Sequence, residues 1–293
     1  MATSARSAGA RLLEAPTGRE RARFRADRMI RIVALGATLL TITPLAAIIV
    51  FVVARGLPTL TISFLVRSAG APDNPGALNA IVGSLQMVPI ALVMSGFAGL
   101  LAGIYLAEFA GSRVAGAFSF IVDVLLGVPS IIAGLLVYST LVAVAGSSAL
   151  AGSVALAVVM FPIVIRTTVE VLRLVPNSLR EASLALGVST WRTVVSVVLQ
   201  VARAGLLTGV MLAFARGFGE TAPLLFTARG SDALNIGHLS EPMSALPLYV
   251  YQNSRLPSDF FVSQAWSAAI VLLAIVLAIN VIVRGRSVNA RVD

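Results

Sequence analysis

Six apolar stretches, each long enough to cross a lipid bilayer, constrain this chain more than any other feature of its sequence. They lie near residues 32–54, 79–107, 117–143, 149–172, 205–228 and 264–283. A helix needs about 20 residues to cross the hydrocarbon core. The stretches are continuous and too long for the alternating strands of a membrane barrel, and backbone polar groups in lipid must be satisfied internally. The sequence therefore predicts an all-α membrane protein with six transmembrane helices.

The composition agrees with lipid as the main solvent of the chain. Charged residues make up 12% of the 293 residues, whereas a soluble domain is about a quarter charged. The chain has no cysteine, which excludes disulfides, thiol catalysis and cysteine-based metal sites. The net charge of +9 is interpreted as a signal for membrane orientation, and no nucleic-acid partner is expected.

The distribution of arginine predicts the topology, because the chain has no lysine. With six spans and both termini inside, 16 of the 22 arginines are cytoplasmic and four are outside. This asymmetry satisfies the positive-inside rule. We therefore expect an N-in, C-in topology, with an arginine-rich cytoplasmic tail over residues 1–28 and a six-helix transmembrane domain over residues 29–293.

A long cytoplasmic connection, at about residues 173–204, carries several helix start and stop signals. Pro176 ends the preceding helix because it lacks an N–H and restricts the residue before it. Ser178 and Glu181, three residues apart, predict a capping box that starts a new helix. Gly187 can take the left-handed conformation that ends this helix, and Ser189 can cap the next one.

This short helix has an apolar edge. Leu179, Ala182 and Leu186 recur at helical spacing and form a stripe on one face. An amphipathic helix that projects into the cytosol is suited to a groove in another protein. The alternative is a loop that packs on its own helical bundle.

Small residues recur at every fourth position of the fifth stretch. They are Gly205, Gly209, Ala213, Gly217 and Thr221. In a membrane such a stripe allows another helix to approach closely. Gly99 and Gly103 form a similar pair in the second stretch, and the same packing role is expected for them.

Two charged residues of the fifth stretch, Arg216 and Glu220, are predicted to lie at membrane depth. They are four residues apart and share one helix face. A charge at mid-membrane costs at least about 2.5–3.5 kcal/mol on insertion scales, so a functional role is favoured over an ion pair that only neutralises itself. Pro223 cannot donate to the carbonyl of Gly219, and broken helices at membrane depth commonly line transport pathways.

Other polar or helix-breaking residues within the stretches give weaker signals. Pro129 is expected to kink the third span, either to line the same pathway or only to help packing. Asp123 is interpreted as a buried partner of an arginine or as an interfacial residue. Arg166 and Glu170 form another four-residue pair, near the cytoplasmic end, where snorkelling explains them.

Several sequence blocks resemble a known family. They are Glu181-Ala182-Ser183 followed by Gly187, Ile165-Arg166-Thr167-Thr168, Gly127-Val128-Pro129-Ser130-Ile131, Tyr105-Leu106-Ala107-Glu108, and Ala215-Arg216-Gly217-Phe218-Gly219-Glu220-Thr221-Ala222-Pro223. The first block resembles the EAA motif of ABC importer permeases. Together, over roughly residues 79–230, the blocks resemble the PstA-type permease subunit of the bacterial phosphate importer. Two positions depart from the family pattern: Val169 stands where a second acidic residue is usual, and Gln200 where a proline is usual.

The resemblance implies an ABC type I importer permease fold, a location in the bacterial inner membrane, and ATP-driven phosphate import. It implies a coupling helix that docks on the ATPase through Glu181, Ala182, Ser183, Leu186 and Gly187. The residues assigned to the substrate pathway are Arg216, Glu220, Thr221, Pro129 and Ser130.

The implied partners are a second permease subunit of PstC type in a heterodimer, two copies of a cytoplasmic PstB-type ATPase, an external PstS-type phosphate-binding protein, and the lipid membrane. The chain has no Gly-x-x-x-x-Gly-Lys-Ser/Thr loop, so we expect no ATP hydrolysis by the chain itself, and no catalytic residue, metal or cofactor.

Other functions stay open at this point. A permease for sulfate or molybdate would share the same architecture. A gradient-driven secondary transporter would explain the intramembrane charges but not the docking helix. An intramembrane enzyme has little support, because the single histidine, His238, lies in an outer loop.

Overall fold

A computed structural model describes residues 18–73 and 75–289, with side chains described for residues 25–73 and 75–282. Residues 1–17 of the predicted tail and Arg291 lie outside the described residues. The chain divides into two compact units, with the boundary in sequence between Phe51 and Val52. The division into a tail over residues 1–28 and a domain over residues 29–293 stays a prediction.

Helices dominate the described part of the chain, where no strand occurs beyond one isolated bridge between Arg229 and Met243. The α-helices described there are α1 (Gly18–Gly56), α2 (Ile62–Val66), α3 (Leu78–Ile104), α4 (Ser112–Gly127), α5 (Ser130–Val137), α6 (Ala143–Ala145), α7 (Ala149–Arg173), α8 (Asn177–Ala185), α9 (Thr190–Thr193), α10 (Leu199–Gly219), α11 (Ala222–Thr227), α12 (Leu246–Asn253) and α13 (Asp259–Asn289). A 3-10 turn follows α1 at Leu57–Thr59, and wider π-helical turns occur at Tyr105–Phe109, Tyr138–Val142 and Val194–Val198.

Among the described residues, five helical runs are long and apolar enough to cross a membrane, and a sixth crossing results if the bent pair α4–α5 counts as one span. The five runs are Arg25–Thr59, Leu78–Phe109, Ala149–Arg173, Thr190–Gly219 and Asp259–Ile282. This confirms the predicted class of all-α membrane protein. The count of six and the N-in, C-in topology stay predictions. We call the end of the second unit that carries the connection between α7 and α10 the inner end.

Two predicted spans differ from the structure. The third span is not one kinked helix, because α4 and α5 meet at an angle of 96° at Val128–Pro129. The fifth span was expected at residues 205–228, but its helical run begins at Thr190 and ends at Gly219. The connection predicted at 173–204 is correspondingly shorter, because the helix resumes before it ends. Apolar content alone did not mark this start, since the first turns carry polar residues such as Arg192.

Helix α7 is the most buried of the long helices, and α3 and α10 pack against it through glycines. On α10, a Cβ at Gly209 would lie 2.6 Å from the Thr167 hydroxyl oxygen. On α3, a Cβ at Gly103 would lie 2.6 Å from the Cβ of Thr168. The further close approaches are Gly205 to Val171, Gly217 to Met160 and Gly99 to Val164, while Ala213 is fully buried. The predicted packing role is confirmed for Gly99 and Gly103 and for the first four residues of the stripe in the fifth stretch, and it stays a prediction for Thr221.

At the opposite end of the second unit, the loops before α3 and α12 pack against the helices. A Cβ on Gly83 of α3 would overlap the carbonyl oxygen of Ser244. The Tyr249 hydroxyl of α12 donates to the side-chain oxygen of Gln264 at 2.7 Å, and the amide nitrogen of Gln264 donates to the carbonyl of Pro75 at 2.6 Å. Burial raises the pKa of Tyr249 to about 12. Buried polar groups that are hydrogen-bonded in this way anchor the loops to the helices.

Replacing Gly209 with alanine tests the close packing on α7. The added methyl group has no space beside Thr167, so we expect Gly209→Ala to destabilise the fold by about 1–3 kcal/mol, as overpacking usually does. The measurement is reversible unfolding in mixed micelles. Gly116→Ala is the matched control, because no neighbouring atom lies within 4 Å of its Cβ position. Equal stability of the two variants would contradict the packing argument.

Candidate functional site

The candidate site is built at the break between α10 and α11. Helix α10 ends at Gly219 because Glu220 takes an extended conformation, with φ −80° and ψ 122°. Helix α11 begins at Ala222 with Pro223 in its first turn, where the missing N–H costs no helical hydrogen bond. The predicted break in this helix is therefore present.

Arg216 and Glu220 form an ion pair, with 3.0 Å between a terminal guanidinium nitrogen and a carboxylate oxygen. The two side chains differ in burial, since Glu220 is 11% exposed and Arg216 is 56% exposed. The carboxylate therefore lies inside the protein, and the guanidinium extends outward from it. The ion pair lies level with the middle of α7, because Gly217, next to Arg216, packs on Met160, which is about halfway along this 25-residue helix.

A cleft of about 260 Å³ lies beside the guanidinium of Arg216. Pro129 and Ser130 also line it, and apart from Ser130 and Arg216 its lining side chains are apolar residues of α4, α5 and α7 and of the turn between α4 and α5. Three of the five predicted pathway residues therefore meet in one cleft. Glu220 contacts the cleft through Arg216, and Thr221 lies at the helix break without lining the cleft.

The 96° bend between α4 and α5 forms one wall of this cleft. At the bend, the amide of Val128 donates to the carbonyl of Leu125 at 3.2 Å, and this hydrogen bond stabilises the turn. On α5, a Cβ at Gly134 would lie 2.7 Å from the Cα of Pro223. The two broken helices therefore contact each other directly, and this contact brings Pro129 and Arg216 to the same place.

A second charged cluster lies on α7 toward the inner end. Arg166 pairs with Glu170 at 2.7 Å and with Asp123 of α4 at 3.1 Å. Asp123 is therefore an arginine partner as expected, but it is half exposed and not buried. Two carboxylates surround this guanidinium, so the cluster carries a net negative charge and is unsuited to an anion. No group of three or more metal-binding side chains occurs in the described residues.

The connection after α7 contains helix α8, at Asn177–Ala185. The predicted capping box is wrong, because Pro176 occupies the N-cap position and no side chain caps the helix. Ser178 lies inside the first turn as a result. Gly187 has a φ of +79°, which confirms its predicted left-handed conformation. Ser189 occupies the N-cap of α9, but its side chain makes no capping hydrogen bond.

The apolar edge of α8 is exposed. Leu179, Ala182 and Leu186 all reach the surface, and Leu186 is 84% exposed. Ser183, the third residue of the EAA motif, is instead buried, and its hydroxyl is 2.8 Å from that of Thr193. Of the five residues predicted to dock on an ATPase, Ser183 is therefore engaged inside the chain, while the other four are exposed.

Sequence reasoning missed the pairing of Arg180 with Glu108. The two side chains are 72 residues apart in sequence and form two hydrogen bonds, of 2.6 Å and 3.0 Å. The Glu108 side chain is 6% exposed and that of Arg180 is 20% exposed, and removing one partner of such a buried pair typically costs about 3–5 kcal/mol. The hydrogen bond with Glu108 raises the pKa of Arg180, against the opposing effect of burial. The one sequence signal was an acidic residue at the end of an apolar stretch.

Comparisons with known proteins agree with this architecture. Residues 99–286 match the family described as binding-protein-dependent transport system inner membrane component. The chain is 43% identical to the phosphate transport system permease protein PstA of Haemophilus influenzae, over 79% of this chain and 83% of that protein. It is 36% identical to the protein of the same name from Yersinia pestis, over 94% of each chain.

A solved structure shows the same fold. It is an inward-facing conformation of the MetNI methionine ABC transporter, matched with a TM-score of 0.61 at 19% identity, over 73% of this chain and 95% of that chain. The predicted importer-permease fold is thereby confirmed.

The turn at Gly187 can be tested by substitution. A Cβ there would meet no atom within 4 Å, so Gly187→Ala suffers only from the left-handed backbone, at about 1–2 kcal/mol. We expect amide exchange in residues 177–193 to accelerate by about 5- to 30-fold, since 1.4 kcal/mol is a factor of 10. Gly187→Asn should stay close to the unchanged protein, because asparagine tolerates this conformation. Unchanged exchange in Gly187→Ala would show that the turn does not need glycine.

Proposed function

Since this chain belongs to the family of binding-protein-dependent transport system inner membrane components, and within it to the phosphate transport permeases, we propose that it is the transmembrane permease subunit of an ATP-driven phosphate importer. The protein is a multi-pass protein of the inner membrane. In this role it forms half of a translocation pathway and receives energy from a separate ATPase.

The observation that carries the proposal is the exposed guanidinium of Arg216 in the apolar cleft. Arginine presents paired N–H donors in a planar fork that matches the oxygens of a tetrahedral anion. Among the described residues, Glu220 is the one charged partner of this guanidinium. Because Arg216 also lines the cleft, an oxyanion bound there can accept hydrogen bonds from the remaining donors.

Glu220 is proposed to position Arg216 rather than to bind the anion first. Its carboxylate is buried behind the guanidinium and fixes the direction in which the fork extends. A carboxylate also lowers the positive charge of the site, which allows an anion to leave as well as to enter. A protonated phosphate oxygen can additionally donate a hydrogen bond to a carboxylate, which sulfate at neutral pH cannot do.

Arg216, which lines the cleft, is 56% exposed in the single chain, and such exposure suits one half of a shared pathway. A second permease subunit of PstC type would complete it in a heterodimer, with Pro129, Ser130 and Thr221 near the anion path. An external phosphate-binding protein of PstS type would deliver the anion to the outer loops. These partners are inferred from the similarity of the chain to phosphate transport permeases and to a permease of another ABC transporter.

Energy is proposed to enter through α8. Its exposed apolar edge, together with Glu181 and Gly187, is suited to a cleft on a PstB-type ATPase, of which two copies would serve the two permease subunits. The chain itself lacks lysine and therefore any phosphate-binding loop of the Gly-x-x-x-x-Gly-Lys-Ser/Thr type.

Sulfate or molybdate import is the alternative function. Both are tetrahedral oxyanions, and the guanidinium of Arg216 offers them the same donors. The similarity to phosphate transport permeases over most of the chain favours phosphate.

Replacing Arg216 tests the proposed site. Charge-assisted hydrogen bonds contribute about 1.5–3 kcal/mol, so we expect Arg216→Gln to reduce phosphate uptake by about 10- to 150-fold and Arg216→Lys to reduce it less. The measurement is uptake of labelled phosphate, with excess sulfate present, by cells that lack this chain and carry each variant. Arg113→Gln is the control, because Arg113 is an exposed arginine at the start of α4 and does not line the cleft.

Two outcomes would contradict the proposal. Normal uptake by Arg216→Gln would exclude this arginine from the pathway. Restoration of sulfate uptake and not phosphate uptake by the unchanged chain would overturn the assigned cargo.

Replacing Leu186 tests the docking role of α8. Burial of a leucine side chain contributes about 1.5–3 kcal/mol, so Leu186→Asp should weaken ATPase binding by at least about 10-fold. The measurement is the amount of ATPase that copurifies with the membrane subunits. Val144→Asp is the control, because Val144 is 87% exposed but lies in α6, outside the connection. Equal copurification from both variants would place the ATPase elsewhere.

A further inference from the structure

Arg180 makes an unusually complete set of hydrogen bonds at the inner end. Its guanidinium donates to both carboxylate oxygens of Glu108, at 2.6 Å and 3.0 Å. It also donates to the backbone carbonyls of Leu172, at 2.9 Å, and Val175, at 2.6 Å, and to the side chain of Asn177, at 3.3 Å. This use of the guanidinium contrasts with that at Arg216, which reaches one carboxylate.

These acceptors belong to three different structural elements. Glu108 lies in the π-helical turn that ends the run Leu78–Phe109. Leu172 lies in the last turn of α7, where carbonyls lack the usual helical partner, and Val175 lies in the turn that follows α7. Asn177 belongs to α8, as does Arg180 itself. One side chain thereby joins the inner ends of two spanning helices to α8.

The side-chain link between α8 and α9, which follows it in the chain, involves neutral groups only. Ser183 is linked to Thr193 of α9 by one hydroxyl contact of 2.8 Å, and Gly187 forms the turn between them. A single neutral hydrogen bond is weaker than a bidentate charged pair. Helix α8 is therefore joined to α7 and the Leu78–Phe109 run by a charged link, whereas its attachment to the run that leads to Arg216 consists of this neutral hydrogen bond and of packing on α9 and Val194–Val198.

We propose that Arg180 is the positioning residue that makes α8, α7 and the inner end of the Leu78–Phe109 run move as one body, so that a displacement of α8 by the ATPase is transmitted to both spanning helices. This inference rests on the proposed function. It adds a mechanical role for two residues, Arg180 and Glu108, that neither line the cleft nor form the exposed edge of α8.

The shape of the guanidinium explains why arginine is needed here. Its donors lie in one plane and point in fixed directions, so a carboxylate on one side and two backbone carbonyls on the other are reached together. A lysine ammonium is a single point charge and cannot hold all of these acceptors in fixed directions. Glutamine carries neither the charge nor enough donors.

The experiment uses the complete transporter, with both permease subunits, the ATPase and the binding protein, in lipid vesicles. Phosphate uptake and ATP hydrolysis are measured in the same vesicles, and their ratio gives the coupling. For Arg180→Gln we expect an assembled complex that still hydrolyses ATP, with phosphate carried per ATP reduced by about 5- to 150-fold, the usual range of coupling between sites. Arg180→Lys should recover part of the ratio.

Two further variants keep the test decisive. Glu108→Gln preserves size and one acceptor, so it should assemble even if Arg180→Gln does not, and it should lower the ratio in the same direction. The double variant should be no worse than Arg180→Gln alone, because both changes remove the same link. Arg173→Gln is the matched control, since Arg173 is an exposed arginine at the end of α7 and should keep the ratio unchanged.

The outcomes separate this inference from the proposed function. Uptake and hydrolysis that fall in equal proportion, or a ratio that stays unchanged in Arg180→Gln and Glu108→Gln, would overturn the positioning role. Failure of the unchanged transporter to carry phosphate would instead overturn the proposed cargo. In that case the same ratio, measured with the anion that is carried, still tests Arg180.

Discussion

The close approach of α3 and α10 to α7 is the constraint on which the rest of the structure depends. In lipid, apolar side chains gain little by moving from one apolar environment to another, so helices associate through tight packing. Gly209 of α10 and Gly103 of α3 reach Thr167 and Thr168, which are adjacent residues of α7. Both helices therefore contact α7 at the same turn. The positions of the cleft and of the Arg180–Glu108 pair at the inner end follow from this packing.

Three arginines of the second unit show how the number of acceptors determines what an arginine can do. Arg180 is surrounded by a carboxylate, two backbone carbonyls and an amide oxygen, which makes it a structural joint. Arg166 lies between two carboxylates, so its charge is more than balanced. Arg216 has one carboxylate and an open cleft. Of the three, Arg216 retains the donors and the positive charge that an oxyanion requires.

Features that depend on neighbours along one helix were predictable from the sequence, and features that depend on distant segments were not. The spacing of Gly205 and Gly209 predicted close packing because four residues return to the same helix face. Pro129 predicted a kink, but the observed bend of 96° is accompanied by a contact between Gly134 and Pro223 that no local pattern contains. The pairing of Arg180 with Glu108 spans 72 residues and was missed for the same reason. The predicted capping box is wrong because Pro176 occupies the N-cap position that the pattern assigned to Ser178.

In the second unit, rigid contacts extend from the inner end toward the cleft, and the more flexible helix breaks lie beside the cleft. The charged joint at Arg180 and the glycine contacts on α7 are tightly packed, and packed interiors transmit displacement instead of absorbing it. The helix breaks at Val128–Pro129 and at Glu220 lack continuous helical hydrogen bonds, so they bend more easily. Both breaks border the cleft or its ion pair, and they contact each other through α5 and α11. In the proposed coupling, rigid elements carry a displacement of α8 to the two breaks, where it changes the position of Arg216 relative to the wall of the cleft that faces it.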